Sequence, residues 1–484
     1  MNSSTRPVIL VMGIMIAAIS VAMLAPFLVD AADGNVESAR AFLICALTGS
    51  AVGGALFVAT RGKATNLSAR AGFVVTGGSW AVLAVVAAVP LHYAGVGLGW
   101  TDAFFESMSG LTTTGATVLT GLNDTPRGIL LWRAILQWIG GVGIIVTAMA
   151  VWPMLGVGGM QLFRLESSDN SEKILPRAAE IATAISLIYL ALTVACAIAY
   201  AAVGLNTFDA IAHAMTTIAT GGYSTRDESL GAFLEEGADL VALVFMLLSA
   251  VPFVLYLLAV RGKPGPLFRD PQVRGFAALV VTAVAILTLV LMVTGVHGPE
   301  SAWRFAAFNA VSIITGTGYA STDFALWGPA TQAAFFVLMF AGGCAGSTTC
   351  SIKIFRYQIA WLAIRRYIMT LVHPHAIAPM TYGGKAVPDA TVYSVLGFLF
   401  AFIAVFIVSA ALLSAIGLDT VTALSGAAAT IGNVGPGLGP IIGPAGTFQP
   451  LPDAAKWVMT ANMLIGRLEV LTVLVFLTPR FWRS

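Results

Sequence analysis

The segment TTTGAT at residues 112–117 sets a glycine among threonines, and related segments occur three more times along the chain. They are ATGGYS at 219–224, TGTGYA at 315–320 and NVGPG at 433–437. With Gly115, Gly221, Gly318 and Gly435 aligned, successive copies lie 106, 97 and 117 residues apart. A near-constant spacing indicates an internal repeat, and such a repeat defines the architecture of the whole chain. The sequence therefore predicts four copies of one structural unit.

Long apolar segments surround these motifs. Of the 484 residues, 58% are hydrophobic and 10% are charged, and the mean hydropathy is +0.89. Soluble proteins carry about 25% charged residues, so the composition disfavours a soluble enzyme, a disordered protein and a nucleic-acid-binding protein. Ten apolar segments reach the length of about 20 residues that a membrane span requires. They are 8–29, 39–59, 71–95, 128–152, 180–204, 238–260, 275–296, 329–360, 391–416 and 456–478.

A short segment precedes each glycine motif, at 101–111, 207–218, 302–314 and 420–430. These segments are too short to span a bilayer. Each begins near residues that often cap helices, namely Thr101 or Asp102, Thr207, Ser301 and Thr420. Each is therefore predicted to be a half-membrane pore helix that enters from the outer side.

The predicted fold is an all-α polytopic membrane protein. It has two N-terminal helices, then four pseudo-repeats of helix, pore loop and helix around one central pore. The expected parts are 1–70 for the two additional helices and 71–178, 179–270, 271–385 and 386–484 for the repeats, with an interrupted second helix in the third.

The backbone after each pore helix carries the predicted chemistry. Extended backbone at membrane depth is tolerated only where it is buried in protein or lines a water-filled path. Four such segments around one axis would present rings of carbonyl oxygens, which replace the hydration shell of an alkali cation. Glycine permits the backbone angles that turn the carbonyls inward. Glycines that merely allow close helix packing are the alternative, which four copies in register disfavour.

Each predicted filter segment has three residues, and hydroxyl groups of Thr114, Thr220 and Thr317 would add a further layer of oxygen atoms. The fourth motif departs from this pattern at Val434 and Pro436. The predicted cation ligands are Thr113, Thr114, Gly115, Ala219, Thr220, Gly221, Gly316, Thr317, Gly318, Asn433, Val434 and Gly435.

Two features below the predicted filter suggest a gate. Small and hydroxylated residues interrupt the eighth apolar segment and predict an unwound stretch, which is either a gate or a glycine-rich packing face. They are Gly342, Gly343, Cys344, Ala345, Gly346, Ser347, Thr348 and Thr349. Arg467 lies well inside the last apolar segment, where a charge costs at least about 2.5 kcal/mol and indicates function. A structural salt bridge to another span is the alternative.

Basic residues predict the orientation. With the N-terminus inside and each segment crossing once, 18 of the 25 Lys and Arg residues fall on the cytoplasmic side. This follows the positive-inside rule, so both termini are expected in the cytoplasm. Most acidic residues fall outside, either as a cation-attracting vestibule or as ordinary solvated loop charges.

Over essentially its whole length the sequence resembles the Trk/Ktr/HKT superfamily of cation transporters, and its TrkH family in particular. The resemblance rests on TTTGAT, QWIGGVGIIV (137–146), ATGGYST, TGTGYAS, GGCAGSTTCSIKIFR (342–356), IGNVGPGLG (431–439) and GRLEVLT (466–472). It implies a potassium-conducting pore in each chain, in the bacterial inner membrane. It also implies a homodimer surrounded by lipid and controlled by a cytoplasmic nucleotide-binding subunit like TrkA.

The same resemblance assigns residue roles. Glycine at all four filter positions goes with potassium selectivity in this family, whereas serine in the first repeat goes with sodium permeation in some plant members. Segment 342–349 matches the intramembrane gating loop, and Arg467 matches an arginine that projects into the pore below the filter. The transported ion would be K⁺, and no organic cofactor is implied.

Three other functions fit the sequence less well than a potassium pore. A sodium-permeable or poorly selective relative is disfavoured by Gly115. An alternating-access carrier for another solute would show paired inverted repeats, whereas these four copies enter from one side. An intramembrane enzyme would need a nucleophile with a base or paired aspartates within the spans, and the sequence has neither pattern. The protein is therefore expected not to be an enzyme.

Overall fold

The N-terminal helices form a hairpin beside the first repeat. The computed structural model describes residues 6–62, 69–150, 174–375 and 379–476, with 478, 479 and 481. Helices α1 (Arg6–Ala22) and α2 (Leu24–Asp33) form one span, and α3 (Val36–Thr60) packs against α1. Buried Asp30 joins this hairpin to the first repeat, because it accepts hydrogen bonds from the Ser38 hydroxyl at 2.5 Å and the Gly128 amide at 2.6 Å.

Four units of first helix, pore helix and second helix follow. The first helices are α4 (Ala69–Tyr93), α7 (Ile174–Ala202), α12 (Pro271–Val293) and α16 (Asp389–Ile416). The pore helices are α5 (Trp100–Leu111), α8 (Thr207–Ile218), α13 (Pro299–Thr315) and α17 (Thr420–Ile431). The second helices are α6 (Arg127–Ala150), α9 (Ala238–Ser249) with α10 (Phe253–Val260), α14 (Pro329–Leu338) with α15 (Ile354–Val372), and α19 (Asp453–Arg467) with α20 (Val470–Phe476).

Small elements connect these units. Short helices α11 (Gly265–Arg269) and α18 (Gly439–Ile442) precede α12 and α19. Strands β1 (Thr381–Tyr382) and β2 (Lys385–Ala386) pair antiparallel, with Thr381 opposite Ala386. The predicted fold class is confirmed.

Three of the ten predicted apolar segments are interrupted rather than continuous helices. Among the described residues, seven helices are long and apolar enough to cross a membrane, or eight if the bent pair α9 and α10 is one span. That pair bends by 86° at Pro252, because proline cannot donate the helical hydrogen bond. The eighth segment is non-helical between α14 and α15, and Glu469 interrupts the tenth with a φ of +64°.

Exposure separates lipid-facing helices from the centre. Large apolar side chains lie exposed on outer faces, such as Ile198 (64%) in α7 and Phe400 (79%) in α16. Pore helices α5, α8, α13 and α17 instead bury most of their residues. This arrangement is that of a protein solvated by lipid around a buried centre.

The N-terminal caps of the pore helices are not the expected residues. Asn206 caps α8 by accepting from the Asp209 amide at 2.9 Å, and Asp419 caps α17 by accepting from the Thr422 amide at 3.1 Å. Gly99 and Gly298 precede α5 and α13 without a side-chain cap. The expected caps lie inside their helices: Thr101, Asp102, Thr207, Ser301 and Thr420.

Candidate cation filter and gate

The four pore helices end in the same backbone conformation. The first filter position has a positive φ at Thr113, Thr220, Gly316 and Asn433, between +49° and +70°. The third has a positive φ at Gly115, Gly222, Gly318 and Gly435, between +75° and +106°. At the second position, the amides of Thr114, Gly221, Thr317 and Val434 donate to carbonyls five residues earlier at 2.8–2.9 Å. We call these three-residue stretches filter segments 1 to 4.

This common geometry corrects the alignment of the second repeat by one residue. Gly222, not Gly221, is equivalent to Gly115, and filter segment 2 consists of Thr220, Gly221 and Gly222. Ala219 caps the end of pore helix α8 and lies before the filter segment. Two adjacent glycines left the register open in the sequence, and the end of α8 at Ile218 fixes it. The other three segments have the predicted residues.

The filter segments close into a ring. A Cβ atom on Gly115 would overlap the Gly221 carbonyl oxygen, and one on Gly222 would overlap that of Thr317. A Cβ atom on Gly318 would overlap the Val434 carbonyl oxygen, and one on Gly435 would lie 2.7 Å from that of Thr114. Each third-position glycine thus packs against the second-position carbonyl of the next segment, in the order 1, 2, 3, 4 and back to 1. Side chains are excluded from the third position for this reason as well as by φ.

A cavity lies on each side of this ring. One cavity of about 110 Å³ is lined by all four third-position glycines and by polar groups that include Arg226 and Asp227. The other, of about 20 Å³, is lined by Asn433, Cys350 and Arg467 among others. The ring therefore stands between a wider space and a constricted one.

The predicted gate residues lie in the non-helical stretch between α14 and α15, here called the intramembrane loop (340–353). Neighbouring helices hold its backbone. The Cys344 amide donates to the Ala250 carbonyl at 3.1 Å, and the Ala345 amide donates to Gln272 Oε1 at 2.8 Å. The Thr348 hydroxyl donates to the Ser249 carbonyl at 3.2 Å. Protein groups thus satisfy polar backbone that could not face lipid.

Arg467 binds this loop directly. Its Nη1 lies 2.6 Å from Cys350 Sγ and donates to the Thr348 carbonyl at 3.3 Å, while Nη2 donates to the Gly140 carbonyl at 3.3 Å. Among the described residues, no carboxylate pairs with it, and its polar contacts are to backbone carbonyls and a thiol. The Cys350 sulfur also lies 3.6 Å from Thr113 Oγ1 in filter segment 1.

Two basic residues at the end of the loop and the start of α15, Lys353 and Arg356, are buried. Arg356 is fully buried and pairs with Glu469 at 2.5 Å. Lys353 is 9% exposed and donates to the Thr349 carbonyl and to Thr349 Oγ1. Glu469 thus joins the start of α15 to the break before α20.

A buried polar cluster contacts the residues that follow filter segments 1 and 2. Most of this cluster was not predicted from the sequence. Glu106 pairs with Arg133 at 2.8 Å and accepts from the Val118 amide at 2.9 Å. Arg133 also donates to the Ser224 carbonyl at 3.0 Å, and its guanidinium lies 4.0 Å from the ring centre of Tyr223. The available signal was an arginine within an apolar segment and a glutamate within a short pore-helix segment, which indicates partners across helices.

Comparison with known proteins assigns this architecture. Residues 38–484 match the TrkH family, described as cation transport protein. The chain belongs to the TrkH family. The Trk system potassium uptake protein TrkI of Halomonas elongata is 46% identical over 413 residues, which cover 85% of this chain and 84% of TrkI. TrkH of Escherichia coli is 40% identical, with 99% of each chain covered.

A solved structure has the same fold. The crystal structure of the potassium transporter TrkH from Vibrio parahaemolyticus matches with a TM-score of 0.90 at 39% identity, covering 99% of both chains. Family members are transport proteins, so the protein is a membrane transport protein and not an enzyme.

Proposed function

We propose that this protein takes up K⁺ across the bacterial inner membrane through one pore per chain, with the ring of filter segments 1 to 4 as its selectivity filter. The closed ring of third-position glycines against second-position carbonyls carries the proposal. Backbone carbonyls in such a ring replace the water around an alkali cation. The relatives that match over nearly the whole chain are named potassium uptake proteins.

The ends of the pore helices favour the same ion class. Each filter segment begins where a pore helix ends, and helix C-termini carry partial negative charge. Four such ends around one small space attract a cation and repel an anion. Cations would gather first in the wider cavity, which the third-position glycines line.

The gate lies in the narrow space on the other side. We propose that the intramembrane loop and Arg467 obstruct the resting pore, because both line the cavity of about 20 Å³. The fixed positive charge of Arg467 opposes a cation there, and its bonds to the Thr348 carbonyl and Cys350 hold the loop in place. Opening requires these contacts to break.

The proposed assembly is a homodimer in lipid, with cytoplasmic termini and a cytoplasmic nucleotide-binding subunit like TrkA that controls the gate. The proposed units remain 1–70 for the additional helices and 71–178, 179–270, 271–385 and 386–484 for the four pore repeats. The basic residues on the expected cytoplasmic side and the relatives' names as members of a Trk system support this assembly.

The test is potassium uptake by bacterial cells that lack their own uptake systems. Cells that express the chain with a TrkA-like subunit are expected to grow at low external K⁺ and to accumulate the K⁺ analogue Rb⁺. Cells that express it alone should accumulate Rb⁺ more slowly. Correctly inserted protein that supports no Rb⁺ accumulation with the subunit present would contradict the proposal.

A further inference from the structure

Gln137 of α6 contacts filter segment 2 at two points. It is fully buried, and its Nε2 donates to the Gly221 carbonyl oxygen at 2.7 Å. Its Oε1 accepts from the Tyr223 amide at 3.1 Å. One carboxamide from the first repeat therefore bridges the residues on either side of Gly222 in the second repeat.

Gly221 differs from the other second-position residues, which are Thr114, Thr317 and Val434. Its φ is not in the left-handed region, so its backbone does not require glycine. A Cβ atom there would overlap Gln137 Cδ and Oε1 and lie 2.7 Å from Nε2. The Gln137 carboxamide thus occupies the place where a second-position side chain would begin.

In filter segments 1 and 3 the second-position side chain is a threonine with a local hydroxyl partner, and the Thr114 hydroxyl also accepts from Asn433 Nδ2 at 2.9 Å. The Thr114 and Thr317 hydroxyls each lie 2.8 Å from the hydroxyl of the threonine two residues earlier. Within the described part of the chain, no group donates a hydrogen bond to the carbonyls of Thr114, Thr317 or Val434. Among the second-position carbonyls, only that of Gly221 accepts a hydrogen bond from a side chain of another repeat in the part of the chain that the structure describes.

This contact affects the ring oxygen itself. A hydrogen bond fixes the direction of a carbonyl and shares its electron density with the donor. The position and field strength of ring carbonyls both bear on the discrimination between K⁺ and Na⁺. We infer that Gln137 is a positioning residue for cation selectivity, which sets the Gly221 carbonyl in the ring in place of a local side chain. The inference rests on the proposed filter function.

The first test measures cation preference without requiring an open gate. Purified full-length protein is heated in KCl or NaCl at constant ionic strength, with choline chloride as the replacement salt. A bound cation raises the unfolding temperature by mass action, so the half-effect concentrations give the K⁺ preference. Gln137→Met removes both hydrogen bonds at similar length, and we expect the preference to fall about fivefold, the size that one neutral hydrogen bond supports.

The matched control is Trp138→Phe on the same helix. Trp138 Nε1 donates to Thr193 Oγ1 at 3.0 Å, and within the described ranges its indole makes no hydrogen bond to a filter segment. This variant also loses one hydrogen bond, but it should keep the wild-type preference. An unchanged preference in folded Gln137→Met would overturn the inference, as would an equal loss in Trp138→Phe.

A second pair of variants tests whether the Gln137 carboxamide occupies the space of a second-position side chain. This test remains decisive if Gln137→Met does not fold. Gly221→Ser alone should lower the unfolding temperature and the K⁺ preference, because its Cβ meets the Gln137 carboxamide. Gly221→Ser combined with Gln137→Ala should recover both. No recovery would overturn the inference.

The experiments distinguish a failure of the proposed filter function from a failure of the role inferred for Gln137. Equal preference for K⁺ and Na⁺ in the wild-type protein would contradict the proposed function. The recovery of stability in the double variant, measured in choline chloride, would still decide whether Gln137 occupies the second-position space.

Discussion

Gly318 meets two independent constraints in the filter ring. Its φ is +78°, and a Cβ atom would overlap the Val434 carbonyl and lie 2.8 Å from Pro436 Cδ. A serine there would strain the backbone by about 1–3 kcal/mol and displace a ring carbonyl. We predict that Gly318→Ser lowers the K⁺ to Na⁺ flux ratio roughly tenfold while the protein stays folded.

Gly295 provides the control at a matched backbone angle. Its φ is +69°, but nothing lies within 4 Å of its Cβ position. Gly295→Ser should keep the wild-type flux ratio in liposomes. If both serine variants keep that ratio, the assignment of Gly318 to the filter is wrong.

Arg467 combines a charge with three polar contacts. Arg467→Ala removes the positive charge from the narrow cavity and the bond to the Thr348 carbonyl. We predict a higher basal Rb⁺ flux without the regulatory subunit, by about fivefold or more if one charge-assisted hydrogen bond is lost. Arg467→Lys retains the charge and should give a smaller rise. Unchanged or lower flux in folded Arg467→Ala would rule out its role as a barrier.

Single residues show where sequence reasoning reaches its limit. The spacing of the motifs placed the nine residues of filter segments 1, 3 and 4 at their positions, since their glycines repeat along the chain, and it placed segment 2 one residue too early. The register of Gly221 and Gly222 depended on where α8 ends, which adjacent glycines do not reveal. Gln137 lies in a motif that indicated the family, but its role depends on contact with another repeat.

At the scale of elements, the intramembrane loop is held by side chains of helices around it. Gln272 of α12 is 2% exposed and accepts from the Ala345 amide at 2.8 Å. Gln272→Met leaves that buried amide without its acceptor, which costs about 1–3 kcal/mol. We predict that the loop is displaced more often and that basal Rb⁺ flux rises about fivefold or more.

Gln332 of α14 offers a matched comparison. It donates to the Ala325 carbonyl at 2.6 Å, outside the intramembrane loop. Gln332→Met should leave basal flux at the wild-type value. A rise of equal size in both methionine variants would indicate general loosening rather than release of the loop.

Hydropathy predicted the helices better than their breaks. Apolar length located the spans, because the bilayer thickness demands it. The 86° bend at residues 250–252 and the break at residues 468–469 are short interruptions inside apolar segments, which averaged hydropathy does not detect. The loop was the exception, since its run of small and hydroxylated residues was long enough to recognise.

At the scale of the whole molecule, ion pairs join repeats that are distant in sequence. Lys456 of α19 pairs with Asp102 of pore helix α5 at 2.6 Å, and their side chains are 4% and 22% exposed. Removing one partner of a buried pair costs up to about 3–5 kcal/mol, and the partial exposure of Asp102 reduces that cost. We predict that Lys456→Met lowers the unfolding temperature by several degrees.

Arg366 and Asp389 form the control pair. Their side chains are 39% and 62% exposed, and exposed pairs contribute about 0–1 kcal/mol. Arg366→Met should therefore leave the unfolding temperature nearly unchanged. Equal shifts in unfolding temperature for the two variants would mean that the pair of Lys456 and Asp102 does not stabilise the packing of the first repeat against the fourth.

The overall architecture was predictable because it repeats. Four motifs, four short segments and the long spans between them define the units without any knowledge of contacts. The closure of the ring was not predictable, since it depends on which carbonyl packs against Gly115 or Gly435. Pairs such as Glu106 with Arg133 were hidden for the same reason.

The central claim is that four filter segments form one potassium-selective ring. The most direct measurement is the flux of K⁺, Rb⁺ and Na⁺ into liposomes that contain the purified protein and its nucleotide-binding subunit. The account predicts K⁺ and Rb⁺ fluxes well above that of Na⁺. Na⁺ flux equal to that of K⁺ would contradict the claim of selectivity, and no flux of any cation through folded protein would contradict the pore itself.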